Sequence, residues 1–411
     1  MMNLHTPRAA VMMVFAGFGA AVGCWAGAIP QVIAAAGIDS FNLGLGFTLS
    51  SLAGVTAMAL GGMIGRRFSN RIVMLSVLPL LALNMILLLV ATSPWLFFAS
   101  LIAFGAVLGF LDMAMNAEAS AIEHDLRRPI FTTFHGSVSI AVAVFAIASS
   151  FVSSMASTFA TSLLSVAVLG LAWLMVHRSV PARVITAGKA GGLSNLPSKL
   201  PLIIMGLAVG LSVAAETSTL FWSAKLLNDQ APELAAIAGL GAAFYGVCNA
   251  IVRFRGDRLR AKYGEIPLML ASLALATAGF IILGLSPSFV MNVIAFAGVG
   301  FGLAILCPCL FNLAAAQVPA NRAAGLSFVS LIAGPPRILA PWVFGWVATS
   351  YSTSFAFGLC AVLMVVAFGL IISLQNVNYG ARTESARPPD GYRRSRRHFS
   401  KSRSARNESK N

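Results

Sequence analysis

The chain is poor in charged residues, and acids are the scarcer kind. Only 10% of its 411 residues are charged, with 13 Asp or Glu against 28 Lys or Arg, while 58% are hydrophobic. Soluble globular domains carry about 25% charged residues. The composition therefore excludes a soluble globular protein and predicts a protein embedded in a membrane.

Signatures of enzymatic or metal chemistry are also missing from the sequence. No P-loop, metal-ligand cluster or nucleophile triad is present, which leaves ATP hydrolysis and covalent catalysis without support. The cysteines all lie in apolar segments, without the spacing of redox or zinc sites: Cys24, Cys248, Cys307, Cys309 and Cys360. We predict no enzymatic activity, no cofactor and no metal, so that energy for any work must come from a solute or ion gradient.

The excess of positive charge is concentrated at the C-terminus. Ten of the 28 basic residues follow position 380, in a segment rich in Ser, Arg and Asn. Basic residues near an anionic membrane surface each contribute about 1 kcal/mol of attraction. We predict that residues 376–411 form a disordered cytoplasmic tail that binds anionic lipid, and no nucleic-acid partner.

The apolar runs divide into twelve spans. A bilayer core needs about 20 apolar residues per helix, and turn residues such as "TSPW" (92–95) and "SSMAST" (153–158) cut the longer runs. The first charge-free run, between Arg8 and Asp39, is longer than the roughly 7 to 15 apolar residues of a cleaved signal. We predict two halves of six spans, 1–177 and 200–375, joined by a polar linker, 178–199. In the second half the predicted spans are 200–222, 234–252, 266–285, 288–312, 323–346 and 352–374.

The distribution of Lys and Arg predicts the orientation. Alternate connections carry nearly all the Lys and Arg residues of the loops, and connections rich in these residues are usually cytoplasmic. Both termini are therefore predicted to be cytoplasmic. The basic loop "GRRFSNR" (65–71) recurs half a chain later as "RFRGDRLRAKYG" (253–264). An internal duplication of this kind is typical of secondary transporters. A gated channel and a membrane-bound sensor are the alternatives from other functional classes.

The second of these loops carries a family resemblance. Gly256, Asp257, Arg258 and Gly264 are similar to the cytoplasmic loop motif of the major facilitator superfamily. The resemblance implies an all-α fold of twelve transmembrane helices in two pseudo-symmetric six-helix halves. It also implies alternating access to a central site, with this loop latching the cytoplasmic gate. The first-half copy departs from the motif because Gly65 replaces its acid.

A narrower resemblance extends over nearly the whole chain. Segments such as "GFLDMAMNAEASAIE", "FHGSVS" and "AGPPRILAPWVFGW" are similar to YbjJ-type members of the superfamily in bacterial inner membranes. The Asp-x-x-x-Asn pair in span four resembles the Glu-x-x-x-Asn of the L-fucose permease group, where the acid is implicated in proton coupling. This likeness favours a sugar, polyol or inositol-like solute. Ala28 and Phe221 stand where relatives have an arginine and an acid, so no single relative's substrate is carried over.

Asp112 and Asn116 are the first candidates for the chemistry. They are four residues apart and share one helical face, which in lipid must point to the protein interior or a watery cavity. A carboxyl group in low-dielectric surroundings can exchange a proton near neutral pH. We hypothesise that Asp112 carries the coupled proton, with Glu216 of span seven as its counterpart. The alternative is that Asp112 braces the cytoplasmic end of span four.

Arg337 is a full positive charge near the middle of span eleven. It follows Pro335 and Pro336, which should break or kink the helix. An unpaired arginine there is costly, so it either pairs with an acid such as Glu216 or binds an anionic substrate, the first being favoured.

The remaining candidates for substrate contact are His135 and three residues of spans one and seven, Trp25, Gln31 and Trp222. His135 could relay protons, or it could lie at the cytoplasmic surface. Tryptophan rings stack on sugar faces but are also common at membrane interfaces.

Together these observations predict a proton-coupled secondary transporter for a small polar solute. We expect a monomer in the bacterial inner membrane whose partners are the solute, protons and membrane lipids. Efflux of a drug or metabolite by proton antiport is the second candidate.

Overall fold

The computed structural model describes residues 6–64, 67–127, 130–182, 199–318 and 322–385. In the first half the helices are α1 (Pro7–Ala36), α2 (Ser40–Ile64), α3 (Asn70–Leu89), α4 (Pro94–Leu126), α5 (Phe131–Met155) and α6 (Thr158–Ser179). In the second half they are α7 (Lys199–Gln230), α8 (Leu240–Tyr263), α9 (Glu265–Leu285), α10 (Phe289–Leu303), α11 (Leu306–Gln317), α12 (Arg322–Ser350) and α13 (Thr353–Ser385). A 3-10 helix, Pro232–Ile237, connects α7 to α8.

These helices make twelve membrane spans within the described residues, as predicted. The consecutive helices α10 and α11 together form one span, Phe289–Gln317. A helix is favoured in each span because lipid offers no hydrogen bonds, so the backbone must satisfy its own N–H and C=O groups. Four serines each accept a hydrogen bond from the amide three residues on and so begin a helix: Ser69, Ser93, Ser157 and Ser288.

The two halves have equivalent internal packing. α1 packs on α5 and α6, and its counterpart α7 packs on α12 and α13. Likewise α3 packs on α4 and α6, as α9 does on α10 and α13, while α2 packs on α4 as α8 does on α10. The contacts between halves obey the same symmetry, since α2 packs on α12 and α5 packs on α8. The fold is thus the predicted pair of pseudo-symmetric six-span bundles.

Small residues bring α2 and α4 into close contact. Gly109 lies so near the backbone of Gly54 that a Cβ atom there would overlap the Gly54 carbonyl oxygen, and Gly105 lies equally near Ser50. Small residues at such crossings let transmembrane helices approach closely. This crossing fixes the wall from which Asp112 projects.

The halves contact each other near both ends of the molecule, and two hydrogen-bonded links lie near one of them. We call the end with the α2–α3, α4–α5 and α8–α9 connections the basic end, and the opposite end the far end. Near the far end the Thr48 hydroxyl of α2 donates to the carbonyl oxygen of Ile338 at 3.0 Å and accepts from the Trp342 amide at 3.1 Å, both on α12. Ser150 of α5 donates to the Ala236 carbonyl oxygen at 3.1 Å. These contacts link the two halves near the far end.

One local prediction was wrong. Residues 253–264 were predicted as loop because of their charges, but α8 continues to Tyr263, so Arg253 lies within a helix. α12 continues through Pro335 and Pro336 without a break, and a kink at these prolines stays a prediction. Proline is tolerated inside transmembrane helices because neighbouring helices and local adjustments satisfy the freed backbone groups.

The connecting segments were predicted as one linker and one tail. Residues 183–198 of the predicted linker lie outside the described residues. α13 continues to Ser385, ten residues into the predicted tail, and residues 386–411 lie outside the described residues.

Candidate functional site

A cavity of about 230 Å³ lies between the two halves. On α2 its wall runs from Phe47 to Met58, so the cavity begins beside the Thr48 contact and extends toward the basic end. α1, α2 and α4 line it from the first half, and α7 and α12 from the second. The wall is formed by Phe18, Phe47, Ser50, Ser51, Gly54, Met58, Phe104, Gly105, Leu108, Gly109, Asp112, Thr217, Phe221 and Arg337. Its two charged residues, Asp112 and Arg337, belong to opposite halves.

Asp112 begins a chain of polar contacts that leads away from the cavity. The Asn116 side-chain amide donates to the Asp112 carboxylate at 2.8 Å and also to the Asp112 backbone carbonyl oxygen at 2.8 Å. The Asn116 side-chain oxygen is 3.1 Å from His135 Nε2 on α5. Because that oxygen accepts, the imidazole donates through Nε2. The predicted group of Asp112, Asn116 and His135 is therefore one connected chain.

Glu216 belongs to a second polar group, on the C-terminal half. Arg253 of α8 donates to the Glu216 carboxylate at 3.1 Å, and these side chains are 23% and 21% exposed. Tyr245 also interacts electrostatically with Glu216. Arg253 further donates to the Ser139 hydroxyl of α5 at 3.5 Å, so this group reaches across to the first half.

The predicted pairing of Arg337 with Glu216 does not occur. Glu216 pairs with Arg253 instead, and among the described residues no carboxylate lies within 4.0 Å of Arg337. Arg337 interacts electrostatically with Asp112, and both side chains line the cavity. The alternative that Arg337 binds an anionic substrate thus stays open.

Trp25, Gln31 and Trp222 are not part of the cavity wall. Trp25 and Trp222 are fully buried, with ring centroids 6.2 and 6.4 Å from that of Phe47. Gln31 donates to Ser154 of α5 at 2.9 Å. In this conformation the two tryptophans support the phenylalanines of the wall and do not face a solute.

The loop motif lies at the end of α8. Gly256 is buried and Arg258 is exposed, whereas the Asp257 side chain lies outside the described part of the structure. Gly264 has φ +77° and turns the chain from α8 into α9, a conformation that glycine adopts without strain. The role of this motif as a gate stays a prediction.

Sequence reasoning missed two features of the site. Arg253 was placed in a loop because it begins a run of basic residues, although an acid inside span seven needs a cation nearby. The phenylalanine wall was also missed, because helices that are apolar all round do not indicate which face points inward.

Comparisons with known proteins find one family model and several membrane proteins that are similar to this chain. A family model of the Major Facilitator Superfamily matches residues 226–405. The chain is 28% identical to an uncharacterised MFS-type transporter of Yersinia pestis over 353 residues, covering 84% of this chain and 90% of the relative. It is 26% identical to the membrane protein MosC of Rhizobium meliloti over 380 residues, covering 90% and 89%.

Solved structures share the fold. A crystal structure of a variant of the nucleoside transporter NupG has a TM-score of 0.71 at 15% identity and covers 90% of this chain and 100% of its own. The human organic anion transporter MFSD10 has a TM-score of 0.59 at 16% identity, with 89% and 99% covered. At these identities the likeness establishes the fold alone.

Proposed function

We infer that this multi-pass membrane protein, which is similar to transporters of the major facilitator superfamily, carries out proton-coupled secondary transport by alternating access. The observation that carries the proposal is the cavity between the halves, with Asp112 on its wall. Rocking of the two bundles exposes this cavity first at one end and then at the other. The Thr48 and Ser150 links near the far end support our proposal that the present conformation opens to the basic end, which the loop charges predict to be cytoplasmic.

Asp112 supplies the proton site in this proposal. A carboxyl group on the wall of a central cavity can be protonated in one orientation and released in the other. Asn116 donates to the carboxylate at 2.8 Å and His135 lies one contact further, which gives a route for a proton toward α5. Glu216 is the second acid that we propose to take part, through its pair with Arg253.

The solute is proposed to be small. The cavity of about 230 Å³ is below the roughly 300–1,000 Å³ of drug-sized sites, which argues against drug efflux. The sequence favours a sugar, polyol or inositol-like compound. Export would be indicated if cells lacking the gene lost release of the solute but took it up normally.

The test begins with the thermal stability of the purified protein against sugars, polyols, inositols and small organic acids, at pH 5.5 and 7.5, because a ligand of the folded state raises apparent stability. A compound that stabilises the protein is then supplied to proteoliposomes under a pH gradient. We expect accumulation by the wild type. Channel-like flux without saturation or counterflow would contradict the proposal, as would a protein that moves no solute.

Asp112→Asn is the decisive variant. Asparagine resembles the protonated acid, so we expect accumulation against a gradient to be lost while exchange of solute across the membrane continues. Glu216→Gln is expected to impair coupling as well. Glu233→Gln is the matched control, because Glu233 is exposed in the 3-10 helix at the far end. Undiminished accumulation by Asp112→Asn and Glu216→Gln would overturn proton coupling through these residues.

A further inference from the structure

The charges and walls of the central cavity indicate a solute class different from the one that the sequence favours. We propose that the transported solute is a small organic acid with an apolar or aromatic body, and that its carboxylate binds Arg337. This inference rests on the proposed function, since it names the solute of the same cavity.

The first argument is the electrostatic position of Arg337. A guanidinium inside a membrane needs a counter-charge, and among the described residues no carboxylate is within 4.0 Å of it. Asp112, across the cavity, is the acid that interacts with it through space. Whenever Asp112 takes up the coupled proton, Arg337 loses this partner, and an anion entering the cavity replaces it.

Among the described side chains, the helices that pack on α12 offer Arg337 no other free acid at the level of the cavity. α2 contains no ionisable side chain between Ser40 and Ile64. The acid of α7 at the level of the cavity, Glu216, is held by Arg253 at 3.1 Å. α11 contributes Cys307, a thiol. His135 contacts Asn116 and is not part of the cavity wall. The ionised groups that line the cavity are therefore Asp112 and Arg337.

The second argument is the shortage of hydrogen-bonding groups. Apart from the two charged residues, the polar side chains of the wall are the hydroxyls of Ser50, Ser51 and Thr217. A sugar or inositol buries five or six hydroxyl groups, and each one left without a partner costs free energy. Three hydroxyls, one acid and one base are too few to satisfy such a solute.

The third argument is the aromatic character of the wall. Phe18, Phe47, Phe104 and Phe221 all face the cavity, and the rings of Phe47 and Phe221 stack with centroids 4.7 Å apart. Phe47 belongs to the first half and Phe221 to the second. A flat apolar body fits against this stack, while the carboxylate extends to Arg337 for a paired, charge-assisted hydrogen bond.

Four probes separate charge from shape. 3-Phenylpropionate carries both features, 3-phenylpropionamide keeps the body without the charge, propionate keeps the charge without the ring, and myo-inositol stands for the polyol class. Thermal stabilisation of the purified full-length protein is measured for each probe, followed by uptake into proteoliposomes under a pH gradient. We expect 3-phenylpropionate to bind at least tenfold more tightly than each of the other three.

The variants test the role of Arg337 directly. Arg337→Gln should weaken binding of 3-phenylpropionate about 30-fold or more, as expected for truncating one partner of a buried charge pair, and Arg337→Lys should restore part of it. Arg255→Gln, which removes an exposed arginine of α8, should bind like the wild type. Circular dichroism and the unliganded melting temperature verify that the variants are folded.

Several outcomes would overturn the inference. Equal binding of the acid and its amide, no stabilisation by either carboxylate, or acid binding unchanged in Arg337→Gln each rule out an anion at Arg337. If inositol binds, is accumulated under a pH gradient and loses that accumulation in Asp112→Asn, the anion proposal fails while proton-coupled transport stands. If no probe is accumulated but the acid still binds through Arg337, transport fails and the binding site stands.

Discussion

At the scale of single residues, the two acids predicted as proton carriers have unlike surroundings. Asp112 faces a cavity and accepts a hydrogen bond from the neutral amide of Asn116. Glu216 is tied to a guanidinium at 3.1 Å. Protonation of Asp112 does not deprive a hydrogen-bonded cation of its partner, because that partner is the neutral Asn116 amide. Protonation of Glu216 would leave Arg253 without its counter-charge. Asp112 is therefore suited to repeated protonation, and Glu216 is more suited to holding Arg253 in place.

The Glu216–Arg253 pair yields a prediction about stability. Removing one partner of a buried ion pair costs about 3–5 kcal/mol, and with side chains 21–23% exposed we expect about 2 kcal/mol for Arg253→Gln or Glu216→Gln. The double variant should recover part of the loss because neither charge is then stranded. The free energies of unfolding are measured in detergent by heat and by denaturant for the wild type, the two single variants and the double variant. Equal stability of these four proteins would contradict the prediction.

At the scale of elements, the crossing of α2 and α4 depends on the absence of side chains. A Cβ atom at Gly109 would overlap the Gly54 carbonyl oxygen, so α4 would have to move away from α2. Asp112 lies three residues further along α4, on the wall of the cavity. A change at this crossing therefore affects packing and the position of the acid together.

Gly109→Ala and Gly170→Ala form a matched pair. Gly109→Ala should lower stability by about 1–3 kcal/mol, the usual cost of overpacking, and should weaken solute binding. A Cβ atom added at Gly170 in α6 would have no neighbouring atom within 4 Å, so Gly170→Ala should leave the melting temperature unchanged or slightly higher. Similar losses from both substitutions would show that the crossing is not tightly packed.

The sequence predicts elements better than it predicts how they are rotated. The twelve spans and the shared face of Asp112 and Asn116 followed from apolar run lengths and helical spacing, because bilayer thickness and helix geometry dictate both. The burial of Trp25 and Trp222 did not follow, since helices that face lipid and protein alike carry no amphipathic pattern. Arg253 was missed because a basic residue next to a loop resembles a loop residue until its helix is seen to continue.

At the scale of the whole molecule, contacts near the far end help to hold the two bundles together. Thr48 provides one of these links through two hydrogen bonds to the backbone of α12. Helix α12 contains Arg337, and α2 forms much of the cavity wall. The same α2–α12 interface therefore also sets the distance between Arg337 and the wall opposite it.

Thr48→Val should favour the conformation that opens at the far end. Loss of a hydrogen bond costs about 1 kcal/mol, which corresponds to roughly a fivefold shift between the two conformations. The readout is the labelling rate of Asn228→Cys, at the far-end cavity that Lys225 and Asp229 also line, by a membrane-impermeant maleimide. The native cysteines are first replaced by alanine.

Thr56→Val is the control for this experiment. Thr56 lies on the same helix, but its hydroxyl donates to the Leu52 carbonyl oxygen within α2 at 2.8 Å. Its replacement should not change the labelling rate. Identical rates in both valine variants would mean that the Thr48 link does not hold the far end closed.

The two buried tryptophans beside Phe47 allow the movement of the bundles to be followed by intrinsic fluorescence. Trp25 is carried by α1 of the first half and Trp222 by α7 of the second, and both rings contact that one phenylalanine. When the bundles rock, at least one indole must lose this neighbour and meet a different polarity. Emission wavelength and quenching by iodide should then follow the transport cycle, with Trp25→Phe and Trp222→Phe assigning the signal to each half.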